Sequence, residues 1–350
     1  MKKLIIIVVF LVVPLKLNAV ESFVVMDSVS GRVLGESNMN EELLIASTTK
    51  IMTTIIALEN ASPTDVYCAS DEIETVYGSM IYLEKNECMI LYDLLVGLML
   101  RSGNDAAMVI ATNTLGYDAF IAKMNEKAAS IGMKHTHFEN PHGLDDESKN
   151  TSTAYDLAFL MRYATKNKTF MEITSNKSFT ATSSLKTHLF YNKNKLLSTY
   201  KFATSGKIGY TTKSGHIFVS SASKASENLI VVTMKDDNQF VTHKNLYEKY
   251  FKEYDRYKVL DKYTFVIKED YYKKYHLYIK EDVYVMLNKN ELDNVDVKIE
   301  LTKKKKIKNN ELVGVAKVYI KNKYLTKVNI YALENKINKK SFFEILKSHL

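Results

Sequence analysis

The 350-residue chain has little of what breaks or staples a fold: 3 prolines, 12 glycines and 2 cysteines. So sparse a supply of proline and glycine excludes a collagen-like or low-complexity chain, and two cysteines cannot build the framework of a disulfide-stapled domain. Cys68 and Cys88 could pair in an exported chain, and a free buried thiol is at least as good a reading. What is present, 46% hydrophobic and 25% charged residues, describes an ordinary globular protein long enough for a main domain and a smaller one. An excess of one charge sign is confined to one end. The net charge is +8, yet residues 301–350 hold 13 Lys plus Arg against 3 acidic residues, whereas residues 1–300 hold 35 against 37. A basic end on a near-neutral body argues against a nucleic-acid-binding core and points to a tail or small domain with its own partner.

The chain opens with Lys2 and Lys3, an apolar run from Leu4 to Val13, then Pro14 and a short polar segment. A positive start followed by an apolar stretch too short to span comfortably reads as a secretory signal peptide over residues 1–20, which implies export to a periplasm or the cell exterior. Ala19 suits the position before a cut. Leu17 is bulky where a small residue is preferred, so an uncleaved anchor is the alternative.

Residues 23–27 and 32–36 flank a Ser-Val-Ser-Gly turn and predict a β-hairpin. From Ser47 the period becomes helical, with Ile51, Ile55, Ile56 and Leu58 on one face, and further helices are expected at Leu91–Leu100, Asp105–Thr112 and Thr153–Ala164, the last capped by Ser152 or Thr153. Asn140 to Asp145 is a polar loop punctuated by Pro141 and Gly143. Residues 217–221 and 229–233 predict a second hairpin. A hairpin at each end of a helical insertion is an α/β arrangement, an antiparallel sheet with helices on both faces. Beyond about residue 252, short alternating runs at 264–267, 276–279, 283–286, 295–299, 313–320 and 326–331 describe a small all-β domain. The expected division is 21–252, 253–333 and a tail, 334–350.

Three short patterns carry chemistry. Ser47-Thr48-Thr49-Lys50 places a hydroxyl and an amine three apart on the first turn of a helix, so nucleophile and base come from one turn. The lysine can act only if burial or a second cation lowers its pKa. Ser102-Gly103-Asn104 follows between two helices, where a loop can present a hydroxyl to relay a proton and an amide to grip a peptide group. Lys207-Ile208-Gly209 opens a strand: Lys207 adds a cation near the base, and Gly209 permits close backbone approach so that a main-chain N–H can face an oxyanion. Each pattern alone is weak; their order, spacing and element type together are not.

Together with Met26–Leu34, Gly97–Leu100, Asn140–Asp145, Thr153–Ala158 and Asn192–Leu197, these motifs resemble the low-molecular-mass penicillin-binding proteins, serine-type D-alanyl-D-alanine carboxypeptidases, over roughly residues 22–333. Lys280–Val285 with Val313-Gly314 looks like that family's C-terminal β-domain. The resemblance implies a β-lactamase/transpeptidase-like domain followed by a small all-β domain. It also implies that Ser47 forms an acyl-enzyme, Lys50 is the general base and Ser102 passes the proton to the leaving amine. Asn104 and Lys207 would hold substrate, and the backbone N–H groups of Ser47 and Tyr210 would form the oxyanion hole, with Gly209 beside them giving the backbone room to approach. Peptidoglycan stem peptides are then the substrate and β-lactams the inhibitors; no cofactor, metal or nucleic acid is called for.

Two departures stand out. Ile208 occupies the position of a family threonine whose hydroxyl contacts the substrate carboxylate, and only Lys235 stands where an assisting arginine is common. Loss of one hydrogen bond to a charged group costs about 1.5–3 kcal/mol, roughly ten- to a hundredfold in efficiency, unless Thr211, Thr212 or Ser205 substitutes. Reduced activity is therefore expected. The alternatives are a degenerate wall-binding protein and a class A-like β-lactamase, for which the loop after Asn140 lacks a glutamate element. His135, His137 and Glu139 read as structural or surface residues and not as a metal site. His142 and His216 border the expected cleft. Lys303–Lys306 reads as a solvated turn. In the tail, Phe342, Phe343, Leu346 and Leu350 share one helical face with Lys336, Lys339, Lys340 and Lys347 available beside it, an amphipathic helix suited to the outer face of the cytoplasmic membrane.

Overall fold

The computed structural model describes residues 20–147, 149–304 and 306–334. The expected signal peptide and the amphipathic tail therefore lie outside the described residues. Five antiparallel strands form the central sheet, in the order Val33–Ser37, Ser22–Asp27, Glu227–Met234, Gly215–Lys224, Ala203–Thr211. The first strand lies against the strand more than 200 residues later, with Val24 opposite Val232. Alternation explains why both faces are dry. Val24, Met26, Ile217, Val219, Ile230 and Val232 enter one apolar cluster, while Val25, Phe218, Leu229 and Val231 enter another on the opposite face.

Helices fill both sides. Between the second and third strands in sequence lie α1 (Lys50–Asn60), α2 (Leu91–Leu100), α3 (Asn104–Thr114), α4 (Tyr117–Ile131), α5 (Ala154–Ala164), α6 (Lys168–Ser175) and α7 (Leu196–Thr199), and after the sheet comes α8 (Gln239–Glu253). α5 packs on the first face against Ser22–Asp27 and Glu227–Met234, and α8 covers the second with Tyr247, Tyr250 and Phe251. The α5 cap is Thr153, whose Oγ1 accepts from Asp156 N at 3.0 Å. α4, α6 and α8 are elements that the hydrophobic period alone left unassigned.

The helix expected from Ser47 begins later. Ala46–Thr49 is a 3-10 turn and the α-helix proper starts at Lys50. Ala46 takes φ +44°, and Thr48 Oγ1 donates to Ile45 O at 2.6 Å, so the chain enters the helix through a tight local turn. Cys68 and Cys88 are disulfide-bonded directly across the short strand pair Val66–Cys68 and Cys88–Ile90, with Cys68 at the surface; the buried free thiol is not what forms.

Residues 255–334 build a separate apolar cluster around Leu277, Val285, Val313 and Ile330. A four-stranded sheet runs in the order Tyr275–Ile279, Lys323–Glu334, Glu311–Ile320, Val295–Leu301, beside a pair formed by Asp255–Leu260 and Val283–Leu287. The strand expected at 264–267 is irregular. Asp261 accepts from the N–H groups of Tyr263 and Thr264, and the resulting turn diverts the backbone while Phe265 still reaches the core. Met286 leaves this cluster to join the one under α8. Arg32, from the turn after the first strand, donates to Met286 O and to Glu291 Oε1, each at 2.5 Å.

Candidate active site

The three motifs meet at the exposed edge of the central sheet. Ser47 lies in the 3-10 turn, Ser102 and Asn104 at the junction of α2 and α3, and Lys207 in the edge strand Ala203–Thr211. Lys50 Nζ donates to three acceptors: Ser47 Oγ at 3.0 Å, Asn104 Oδ1 at 2.7 Å and His142 O at 2.5 Å. Lys207 Nζ donates to Ser102 Oγ at 3.0 Å and to Ile208 O at 2.8 Å. Both amines are fully buried side chains, and among the described residues neither pairs with a carboxylate.

That environment sets their protonation. Burial first, then the ammonium groups of Lys207 and Lys193, holds Lys50 well below the usual lysine range, although Asp105 pulls the other way. Burial and Lys193 bring Lys207 down to about 7. His142 falls to about 3 through burial and Lys50, so its imidazole is neutral. Lowering the pKa in this way makes it easier for Lys50 to give up its proton, and the amine, 3.0 Å from the serine hydroxyl, can then take that hydroxyl's proton.

Backbone geometry brings the parts this close. Ser102 adopts φ +65° between the two helices, a left-handed turn that presents its side chain between Lys207 and the cleft. Gly143 has φ +89°, and a Cβ there would lie 1.9 Å from Ala46 O, so only glycine lets the 140–145 loop rest over the turn that bears Ser47. At Gly209 a Cβ would stand 3.1 Å from Ser47 N and Ile45 O. The missing side chain leaves the edge strand and the Ser47 amide in close approach.

The resulting cleft has a volume of about 420 Å³ and is walled by Ser47, Asn104, Tyr77–Ser79, Gly143–Asp146 and Tyr210–Lys213. Tyr210 is 59% exposed and lies 4.4 Å, ring to ring, from His216. Ile208 is not among the cleft-lining residues; it is half-buried against the Phe218 cluster. Of the hydroxyls that could replace its missing one, Ser205 is engaged with Ser221 at 2.9 Å and Thr211 with Asp145 at 2.6 Å, which leaves Thr212.

Several supporting groups gave no sequence signal of their own. Asn104 is oriented by Tyr77 O, which accepts its Nδ2 at 2.5 Å, and Ser79 O accepts its N–H at 2.7 Å. Asp105 accepts from the N–H groups of Ile81 and Leu83, which ties the 77–83 loop to α3. These contacts run through main-chain atoms, to which side-chain pattern is blind. His135 pairs with Glu42 at 2.8 Å on the surface, and His137 lies 3.7 Å from Glu139.

The family model for D-alanyl-D-alanine carboxypeptidases of peptidase type S11 matches residues 12–238, and that for the C-terminal domain of penicillin-binding protein 5 matches residues 254–336. The chain belongs to this carboxypeptidase family. It is a serine-type hydrolase of the penicillin-binding, cell-wall group, with the transpeptidase-like fold and C-terminal β unit that the motifs implied. It is 30% identical to D-alanyl-D-alanine carboxypeptidase DacF of Bacillus subtilis over 303 residues, covering 82% of this chain and 77% of that one. To D-alanyl-D-alanine carboxypeptidase DacB2 of Mycobacterium tuberculosis it is 33% identical over 223 residues, 63% of this chain and 77% of that one. The crystal structure of penicillin-binding protein 5 from Haemophilus influenzae superposes with a TM-score of 0.75 at 25% identity, over 92% of this chain and 98% of that one.

Proposed function

We propose that Ser47 attacks the carbonyl between the two terminal D-alanines of a peptidoglycan stem peptide. Its proton passes to Lys50 and from there through the Ser102 hydroxyl, which gains one proton as it gives one up, to the leaving D-alanine amine as the C–N bond breaks. Water then hydrolyses the acyl-enzyme, and the serine is regenerated. The observation that carries this reading is the 3.0 Å contact from Lys50 Nζ to Ser47 Oγ, made by an amine whose pKa burial and Lys207 hold well below the usual lysine range. Asn104 would hold the substrate amide and Lys207 the terminal carboxylate, with the amides of Ser47 and Tyr210 receiving the oxyanion beside Gly209. A penicillin would enter the same path and stall as the acyl-enzyme.

Fluorescent penicillin provides the test. Wild-type chain should label covalently and release D-alanine from a D-Ala-D-Ala peptide, and Ser47→Ala should do neither. An unlabelled wild type would favour a wall-binding protein with a spent site, and label shed within seconds a lactamase. Activity below that of a family member with a hydroxyl at position 208 belongs to the same proposal, because Ile208 offers no hydrogen bond there.

The division into 21–252, 253–333 and a tail, export past the cytoplasmic membrane, and peripheral attachment to its outer face through residues 336–350 complete the reading. The apolar start after Lys2 and Lys3 and the lysine-flanked apolar face of the tail support it. Among the described residues no helix is long and apolar enough to cross a membrane. Removing residues 336–350 should shift the signal-cleaved protein to the soluble fraction; persistence with the membrane would sink the tail's role.

A further inference from the structure

The four-stranded sheet of the β unit buries one face and leaves the other open. Ala316, Val318, Val328 and Ile330 enter the apolar cluster, so alternation turns Lys317, Tyr319, Lys327 and Tyr331 outward. Register then sets three lysines in one line. Lys298 lies opposite Lys317, and Lys317 opposite Lys327, across three adjacent strands spaced about 4.8 Å apart. A tyrosine pair flanks the line on each side: Tyr319 with Tyr324, ring centroids 5.8 Å apart, and Tyr331 with Tyr278, 5.9 Å apart. Lys298 stands 4.9 Å over the Tyr319 ring, and Lys280 4.0 Å over that of Tyr331.

The fold does not require this line. Like charges directly opposite in a sheet repel and destabilise it. Lysine on an edge strand guards against strand addition, which accounts for Lys298, but Lys317 and Lys327 belong to the two inner strands. Two carboxylates share the face. Glu300 engages Lys317 at 2.7 Å, and Asp296 lies opposite Tyr319. Lys298 and Lys327 have no ion-pair partner among the described residues, so the line keeps a surplus of positive charge.

We propose that this face binds an anionic polysaccharide, a linear chain of sugar rings that carry carboxylates. The chain lies across the strands, its anionic groups on Lys298, Lys317 and Lys327 and its rings against the tyrosines that flank them. A tyrosine ring offers the C–H face of a sugar an apolar surface, and the ammonium groups supply the complementary charge. The arrangement favours a polymer over a bilayer. A surface that enters lipid puts its apolar side chains at the centre of the contact, whereas here the ammonium groups are central and the rings lateral.

Fluorescent polygalacturonate, with one carboxylate per ring, tests this on the full chain, and its methyl ester is the uncharged control. The wild type should bind the acid, more weakly as salt rises, and should not bind the ester. Changing Lys298, Lys317 and Lys327 together to Gln should weaken binding about 3- to 100-fold, the product of three exposed charge contacts. Lys327→Gln alone should weaken it about 1.4- to 5-fold, and this single variant carries the test if the triple one does not fold. Changing the exposed Lys134, Lys168 and Lys252 to Gln removes the same charge from the body and should leave binding at the wild-type level. Failure of the wild type to bind, equal binding of the ester, or equal losses in the two triple variants would overturn the proposal. Vesicles containing phosphatidylglycerol form a further arm: dependence of vesicle binding on the lysine line, with polymer binding indifferent to it, would also overturn it.

Discussion

The body that carries the cleft and the β-rich unit behind it are built from the same kinds of strand, yet they treat charge in opposite ways. In the first, Lys50, Asp105, Lys207 and His243 are buried among apolar side chains, and hydrogen bonds hold each of them. In the second, among the described residues, no side chain of the polar or charged classes is buried. Its core is Leu277, Val285, Val313, Ile330 and Tyr272, whose hydroxyl donates to Thr302 O at 2.5 Å. An ionisable group taken out of water is costly unless it is paired or changes its protonation. At Lys50 and Lys207 that cost appears as a lowered pKa, so the distribution of buried charge separates the half that holds the cleft from the supporting half.

Substitutions in each half should therefore break different properties. Lys50→Met keeps the length of the side chain and removes the proposed base, and acylation by penicillin is expected to slow about 10²–10⁴-fold, read by stopped-flow labelling. A smaller loss would show that another group takes the serine proton. Ile330→Ala empties a fully buried site in the β unit; it should cost about 2–5 kcal/mol of unfolding free energy by denaturant titration, with the acylation rate constant unchanged. A slowed acylation there would mean that the supporting half reaches the chemistry.

Ile208→Thr tests the boundary between support and function, since the residue sits on the sheet edge beside the cleft but packs on Phe218. Regaining a hydroxyl should raise kcat/KM on a D-Ala-D-Ala peptide by about 10-fold or more. No gain would place the carboxylate contact on Thr212 or Lys207 alone. The smallest expected effect is in pH dependence. Folding lowers the Lys207 pKa, so between about 7 and the ordinary lysine value near 10.4 the unfolded chain binds a proton that the folded chain has released. Stability should rise with pH across that window by up to about 1.4 kcal/mol per unit, and Lys207→Met should flatten the slope in unfolding measured at pH 7 and 9. In the same window the free enzyme loses the cation proposed to hold the substrate carboxylate, so kcat/KM should fall as stability rises.

Much of this was legible in the chain. Ser47, Lys50, Ser102, Asn104 and Lys207 stand out because the proposed chemistry needs side chains of fixed type at fixed spacing, whereas the strand of Lys207, expected to lead into Ile217, proved to be a separate edge strand, Ala203–Thr211, ended by a turn before Gly215. The 3-10 turn at Ala46–Thr49 was not legible, because one left-handed residue decides it and alanine is not the residue that marks such a position. Nor were the supports of Asn104, which are carbonyls of Tyr77 and Ser79 in a loop without period. α8 escaped because its inward face is tyrosine and histidine instead of aliphatic, with His243 held between Ser220 Oγ at 2.7 Å and Thr233 Oγ1 at 3.0 Å. The pairing of Cys68 with Cys88 depended on two three-residue strands that only tertiary contacts bring side by side.

The grip of Arg32 on Met286 and Glu291 also bears on reach. With Met286 inserted under α8 and a guanidinium bonded across the junction, the β unit is fastened to the body as a mast is and not only strung to it as a tether. An enzyme on a flexible leash samples every distance up to its full length, whereas one on a mast works at a single height above whatever surface holds the far end. With the tail held at a membrane as proposed, the stem peptides within range of Ser47 would form a thin layer of the wall, and the length of this strut would join the chemistry of the cleft in selecting which of them are trimmed.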